Sequence, residues 1–384
     1  MPKQVIVQGS IETVEIIDTP IPTPRERDVV IKVVVSGTNP KDWKYPFWKD
    51  MPLNSGDDIA GIVYSVGKDV YEFKPGDRVA GFHECLTENG SFAEYAVAPD
   101  WMTFHIPHNI SFEEAATIPT AALTAAIAMY ADMKLPTPID AMELEQGGKK
   151  MPILVYGVTS AVGAYAAKFA RLSGFNPIIG VAGRAGDFAK TLADYVVDYR
   201  KGEDALVASV EEILAKEGLG TKVSYVVDAV SEKGSLEATL RFLEPNGGIV
   251  STMLPPELFA KDGKNFKYPD GVRAFNSGVP RVFSTHKDFG YIWSRYIARL
   301  LEDGRLKPHS HEVVPGGLNG VLRGLQNLKD GRASAVKYVY RLEETGDIAI
   351  GFQDVNGNII GTPTKVSSGR GHHKLRNFPY PAGE

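Results

Sequence analysis

The stretch from Ile153 to Lys168 constrains the fold more than any other part of the chain. Residues 153–156 form a short apolar run that predicts a buried strand, residues 157–160 a tight turn, and residues 161–171 a helix with small residues on its inner face. A strand, a turn and a helix N-terminus in immediate succession expose backbone amides at the positive end of a helix dipole, which suits a pyrophosphate. Thr159 or Ser160 is placed to cap that helix and to offer a hydroxyl. The candidate cradle is therefore Gly157, Thr159, Ser160, Ala161, Val162 and Gly163. Its spacing lacks the middle glycine of the commoner G-x-G-x-x-G fingerprint, and a buried strand–helix pair with two glycines is the alternative reading.

The residues downstream favour the dinucleotide. Short apolar runs at 176–181, 195–198, 223–228 and 248–254 alternate with helical segments at 188–192, 204–216 and 234–243. Such alternation predicts a parallel, doubly wound sheet with right-handed crossovers, which binds a dinucleotide at its strand C-termini.

The first 125 residues read differently. Strand-like runs at 5–8, 13–17, 28–36, 58–67, 74–81 and 90–97, with glycines at the corners, predict a closed or nearly closed barrel-like β domain. Ser111 and Glu114 form a capping box for a short helix, residues 120–129 a bridging helix, and residues 134–150 a surface insert with Pro136, Pro138, Gly147 and Gly148. Amphipathic helices are expected at 287–303 and 317–329, and a strand at 336–342 that returns to the first domain. The expected division is thus 1–125 with 283–384, and 126–282 inserted between them. Residues 348–360 read as a hairpin turning at Asn356-Gly357, followed by a polar tail.

Composition narrows the classes. A chain of 384 residues, 43% of them apolar, exceeds one core and fits two domains. A net charge of −5 without a basic tract speaks against nucleic acid. Cys85 is the single cysteine, which excludes an internal disulfide and a four-thiolate zinc site. No leader pattern and no apolar run of about 18 residues is visible, so no membrane is expected and the cytoplasm is the expected compartment. The adjoining His83, Glu84 and Cys85 read as a polar loop rather than a metal site, as does His372-His373 in the tail.

Six short motifs, in order, carry a resemblance: Asn39-Pro-Lys-Asp42, Gly56-Asp-Asp-Ile-Ala-Gly61, Val66-Gly67, Lys74-Pro-Gly-Asp-Arg-Val79, Gly90-Ser-Phe-Ala-Glu-Tyr95 and Ala121-Ala-Leu-Thr-Ala125. The chain resembles the medium-chain dehydrogenase/reductase superfamily over residues 1–342, within its zinc-independent quinone and enoyl reductase branch. It is most similar to the trans-acting enoyl reductases of fungal polyketide pathways, through Asn39-Pro-Lys-Asp-Trp-Lys44, the insert before Met151, and Asp303-Gly-Arg-Leu306. The resemblance implies an α/β architecture with a GroES-like β-barrel-type domain and a Rossmann domain. Zinc-dependent relatives carry Cys and a Gly-His-Glu run where this chain has Asn39 and Gly56-Asp57-Asp58, so no catalytic metal is implied.

The second strand of the nucleotide unit ends at Arg184 without a carboxylate, and a guanidinium there can pair with the 2′-phosphate of NADPH. Lys190 and Tyr199 stand where the resembled NADPH enzymes contact the same phosphate, with Asp187 counting against and a solvated surface as the alternative. Ala229, Val230, Met253 and Leu254 are expected on the nicotinamide side. Phe275 with residues 276–278, and Ala335-Val336-Lys337, resemble late loops that close over the coenzyme. The implied chemistry is hydride addition to an enoyl or enone β-carbon, which builds an enolate that aimed donors stabilise. Lys44 and Thr124 are the candidate donors, Asn39, Pro40 and Asp42 the residues that orient the loop and the nicotinamide. Tyr45, or water, is the candidate proton source at the α-carbon, with packing on Trp43, Phe47 or Trp48 as the alternative. That aromatic run is a candidate wall of an open-ended cleft for a small-molecule or acyl-thioester substrate, free or carrier-protein bound. A quinone or alkenal reductase, and an NADPH-binding protein with little catalysis, remain alternatives. Monomer and homodimer both stay open.

Overall fold

The computed structural model describes residues 1–141, 150–346 and 350–361. The N-terminal part supplies Lys3–Val7 (β1), Val14–Asp18 (β2), Asp28–Gly37 (β3), Asp58–Val66 (β4), Arg78–Phe82 (β5), Tyr95–Pro99 (β6) and Thr103–His105 (β7). β3 is rich in valine and isoleucine, burying Val29, Ile31, Val33 and Val35 on one face while Lys32 is exposed on the other, and it is paired along both edges. One edge meets β4; the other is shared, its first half by β6 and its last residues by a strand from far along the chain. That sharing wraps the sheet into the barrel-like form.

The parallel sheet follows: Ile153–Tyr156 (β8), Ile178–Ala182 (β9), Tyr195–Asp198 (β10), Tyr225–Asp228 (β11), Ile249–Thr252 (β12) and Arg273–Asn276 (β13). The order β10-β9-β8-β11-β12-β13 places β8 beside β9 and β11, all parallel, and the order in which strands are added reverses there. Ligands bind at such a switch point. β13 corrects the expectation for Phe275, which lies in a sixth strand rather than a closing loop. Four residues with Arg273 and Asn276 exposed at the ends give no apolar run to read, because the strand sits at the sheet's edge.

His311–Val313 (β14) and Lys337–Arg341 (β15) return to the first sheet, β15 being the strand that meets β3. Lys337 therefore opens a strand and is not part of a closing loop, which corrects its expected setting. Gly351–Gln353 (β16) and Ile359–Gly361 (β17) add to β1 and β2 as a four-stranded sheet. Their connection differs from the expected two-residue Asn-Gly turn: only Gly357 has positive φ, and the Asp354 carboxylate accepts the amides of Asn356 and Asn358. Parts of the predicted insert and hairpin, and the tail with His372-His373, lie outside the described residues.

The helix Pro119–Ala126 is buried throughout and packs its alanines on Ala161–Leu172. It continues through a wider turn at Ile127–Asp132, a form that concentrates near functional sites. Helix Lys287–Glu302 seals this junction by stacking Trp293 on Tyr130 at 4.6 Å.

Candidate active site

A cleft of about 380 Å3 opens at the C-terminal ends of β8, β9 and β11, facing the loop after β3 and residues 331–337. It brings together Asn39, Pro40, Gly157, Thr159, Ser160, Ala161, Arg184, Tyr199, Val230 and Lys337 among the predicted residues. Val162, Gly163, Lys190, Ala229, Met253, Leu254, Phe275, Asp42, Lys44, Tyr45 and Thr124 are not on its wall.

The turn is built by its glycines. Gly157 has φ +73°, and a Cβ there would lie 2.5 Å from Val230 Cγ2. A Cβ on Gly163 would lie 2.2 Å from the Gly157 carbonyl oxygen, so only glycine lets the helix start against the turn. Ser160, not Thr159, caps the helix: its Oγ accepts the Gly163 N–H at 3.1 Å. Ser160 and Ala161 put the start of the helix on the cleft wall, where an anion would meet its positive end.

At the end of β9, Gly183 is covered by the Tyr199 ring, and Arg184 is exposed and donates to the carbonyl of Gly331 at 2.6 Å. Lys190 pairs with Asp187 at 2.8 Å on the outer surface, away from the cleft wall.

Behind the cleft sits a buried polar hub. Asp58 Oδ1 accepts the Thr120 N–H at 2.7 Å, and Asp58 Oδ2 accepts Asn39 Nδ2 at 2.7 Å and the ammonium of Lys337. Lys337 also donates to Asn39 Oδ1 at 3.2 Å, so its charge faces Asp58 and Asn39. Asp42 Oδ2 accepts the Asn39 N–H at 2.7 Å and thereby shapes the loop that carries Asn39 to the cleft. Burial pushes the Asp42 carboxyl up to about 7, against the pull of neighbouring Lys41.

The candidate donors stand as follows. Thr124 donates to the Thr120 carbonyl of its own helix at 2.6 Å. Lys44, on the helix Lys41–Lys49, donates to Glu232 at 3.2 Å and lies within 6 Å of the rings of Trp43, Trp48 and Phe259. Tyr45 is half-buried, with its ring 6.3 Å from Trp48 and under the ammonium of Lys41. Ala229 donates to the Tyr156 carbonyl, and Met253 to Ser231 Oγ at 2.8 Å, so both amides hold the loops rather than face the cleft. Asp228 is fully buried and accepts Val230 N, Ser231 N and Ser235 Oγ; burial raises it to about 6, against the lowering by these donors.

Residues 25–108 match the alcohol dehydrogenase GroES-like domain and residues 161–267 the zinc-binding dehydrogenase family. The trans-enoyl reductase fsr4 of Gibberella fujikuroi is 40% identical over 317 residues, covering 80% of this chain and 89% of that protein. The trans-enoyl reductase resD of Aspergillus sclerotiorum is 33% identical, covering 85% and 96%. The chain belongs to the trans-enoyl reductase family. Its wider superfamily is that of the medium-chain dehydrogenase/reductases. The crystal structure of CurK enoyl reductase superimposes with a TM-score of 0.72 at 20% identity, over 88% of this chain and 98% of that one, which supports the shared fold.

The zinc-binding dehydrogenase match raises the question whether this trans-enoyl reductase has residues that fit zinc. Among the described residues no three His, Cys, Asp or Glu side chains are placed to hold a metal ion. Both Asp58 oxygens are taken by protein donors, one of them the ammonium of Lys337, and Asp57 is taken by Lys41 and Cys85. A fixed organic cation stands on the carboxylate that a metal would need, so the residues do not fit zinc. Sequence reasoning missed Asp58 and Glu232 as organisers, because both act through partners distant in sequence. Asp228, expected from its place at a strand end to line the nicotinamide side with Ala229 and Val230, instead holds the loop that follows it.

Proposed function

We propose that the protein is an NADPH-dependent, metal-independent reductase of an activated C=C bond, acting in the cytoplasm on an enoyl thioester delivered by a carrier protein. The reading rests on the Lys337–Asp58 pair, which leaves hydrogen-bond donors as the means of polarising the acceptor. When bound, the nicotinamide supplies the hydride. The turn and helix N-terminus at Thr159, Ala161 and Val162 hold the pyrophosphate, the amides of Gly157, Val158, Ser160 and Gly163 being used within the turn, and Arg184 exchanges the Gly331 carbonyl for the 2′-phosphate. Lys44 donates to the thioester oxygen as charge builds on it, Thr124 joins it by exchanging its bond to the Thr120 carbonyl, and Tyr45 or water delivers the proton to the α-carbon.

NADPH oxidation measured with enoyl thioesters, small enones, quinones and no acceptor tests this. Turnover is expected to be fastest with the enoyl thioester and unchanged by a chelator. A faster quinone rate would move the assignment to a quinone reductase, and uniform silence with tight coenzyme binding to a non-catalytic role. Arg184→Ala is expected to raise the Kd for NADPH about tenfold while leaving NADH within about twofold, the loss of one charge-assisted contact. Equal effects on both coenzymes would remove Arg184 from phosphate selection.

A further inference from the structure

Among the described residues, Glu232 is the one acidic residue on the wall of the coenzyme cleft. Its neighbours Ser231 and Lys233 both have φ +57°, in the left-handed region that side chains other than glycine rarely occupy. The Asp228 carboxylate holds the loop by accepting the amides of Val230 and Ser231. The backbone thus over-determines where Glu232 points, and such local strain marks functional positions.

It reaches from the cleft wall to the neighbouring helix. Its carboxylate meets the ammonium of Lys44 at 3.2 Å, linking the loop after β11 to the helix after β3. Lys44 is nearly buried, held between Trp43 and Trp48 of its own helix and Phe259 of the opposite unit, at 5.6, 5.7 and 5.4 Å from the ring centres. An aromatic enclosure of this kind keeps a cation in one place without neutralising it. The carboxylate supplies the neutralisation, and it is the partner that reaches the cleft.

We propose that Glu232 is a positioning residue that fixes the Lys44 ammonium beside the cleft wall, and that the ammonium screens the Glu232 carboxylate from the phosphates of the coenzyme. This rests on the assignment of NADPH to the cleft. A bare carboxylate on that wall repels a polyanion; a bare ammonium attracts it. The two partners therefore have opposite effects on binding, which a general loss of structure cannot imitate.

Coenzyme Kd, by NADPH fluorescence, and kcat at saturating NADPH are measured for wild type, Lys44→Met, Glu232→Gln and the double variant. At low ionic strength Lys44→Met is expected to weaken NADPH about tenfold, Glu232→Gln to tighten it about threefold, and the double variant to return within about twofold of wild type. Both single effects shrink toward unity in about 0.5 M salt, where charges more than a few ångströms apart are screened. Glu232→Gln lowers kcat despite its tighter binding, because the ammonium is no longer fixed. Weaker binding by Glu232→Gln, or tighter binding by Lys44→Met, overturns the proposal. Should Lys44→Met not fold, the sign of the near-isosteric Glu232→Gln decides alone. A wild type that prefers NADH yet keeps these opposite signs overturns the NADPH assignment and retains the clasp; one that binds neither coenzyme overturns both.

Discussion

Replacing Lys337 by methionine is expected to lower the unfolding free energy by about 3–5 kcal/mol. Lys337 is 3% exposed and Asp58 fully buried, so the substitution strands a carboxylate in the interior with only neutral donors left around it. The hub ties together three parts of the chain: β4 through Asp58, the loop after β3 through Asn39, and the helix Pro119–Ala126 through the Thr120 amide. Loss of the ammonium therefore loosens all three at the point where Asp58 joins them. Urea unfolding with an unchanged m-value measures the effect as a shift in midpoint. The double variant Lys337→Met with Asp58→Asn is expected to recover more than half of the loss, because the stranded charge, rather than the missing bond, carries most of the penalty. A single variant that unfolds within about 1 kcal/mol of wild type would show that the buried pair is compensated elsewhere. Since Asn39 lines the cleft and depends on this hub, a weaker grip on coenzyme should accompany the lost stability.

What the sequence disclosed and what it hid divide by range. The strand, turn and helix at 153–172, the Ser111–Glu114 capping box and the alternation of the parallel sheet depend on neighbours a few residues apart, and each formed where local chemistry required. The Lys337–Asp58 and Lys44–Glu232 pairs span 279 and 188 residues. No periodicity reports such a pair; only the fold makes it. Residue type misled in a different way. Thr124 reads as a free hydroxyl, yet a threonine inside a helix returns its proton to the carbonyl four residues back, as this one does at 2.6 Å. Lys190 reads as a phosphate ligand, yet Asp187 one turn earlier takes its charge, an i,i+3 pairing visible in the sequence itself.

Gly163→Ala is expected to reduce kcat/KM about a hundredfold while lowering stability by only about 1–3 kcal/mol. The added methyl has one place to go, 2.2 Å from the Gly157 carbonyl oxygen and 3.1 Å from Ser160 Oγ. Neither neighbour can yield by rotation alone. The carbonyl belongs to a backbone held at φ +73° under Val230, and the hydroxyl oxygen is the cap that accepts the Gly163 amide itself. The turn must therefore slide away from the helix by about an ångström, the displacement that separates productive from unproductive placement of bound groups. Sliding it moves the amides that would grip the pyrophosphate and leaves the hydrophobic sheet beneath largely intact, since β8 is buried on its own account. Coenzyme affinity should thus fall far more than thermal stability. Gly186→Ala is the control: it lies at the first residue of a short helix with nothing within 4 Å of its Cβ position, and should change neither quantity by more than about twofold. Equal behaviour of the two variants would mean that the close approach at Gly163 does not set the coenzyme's position.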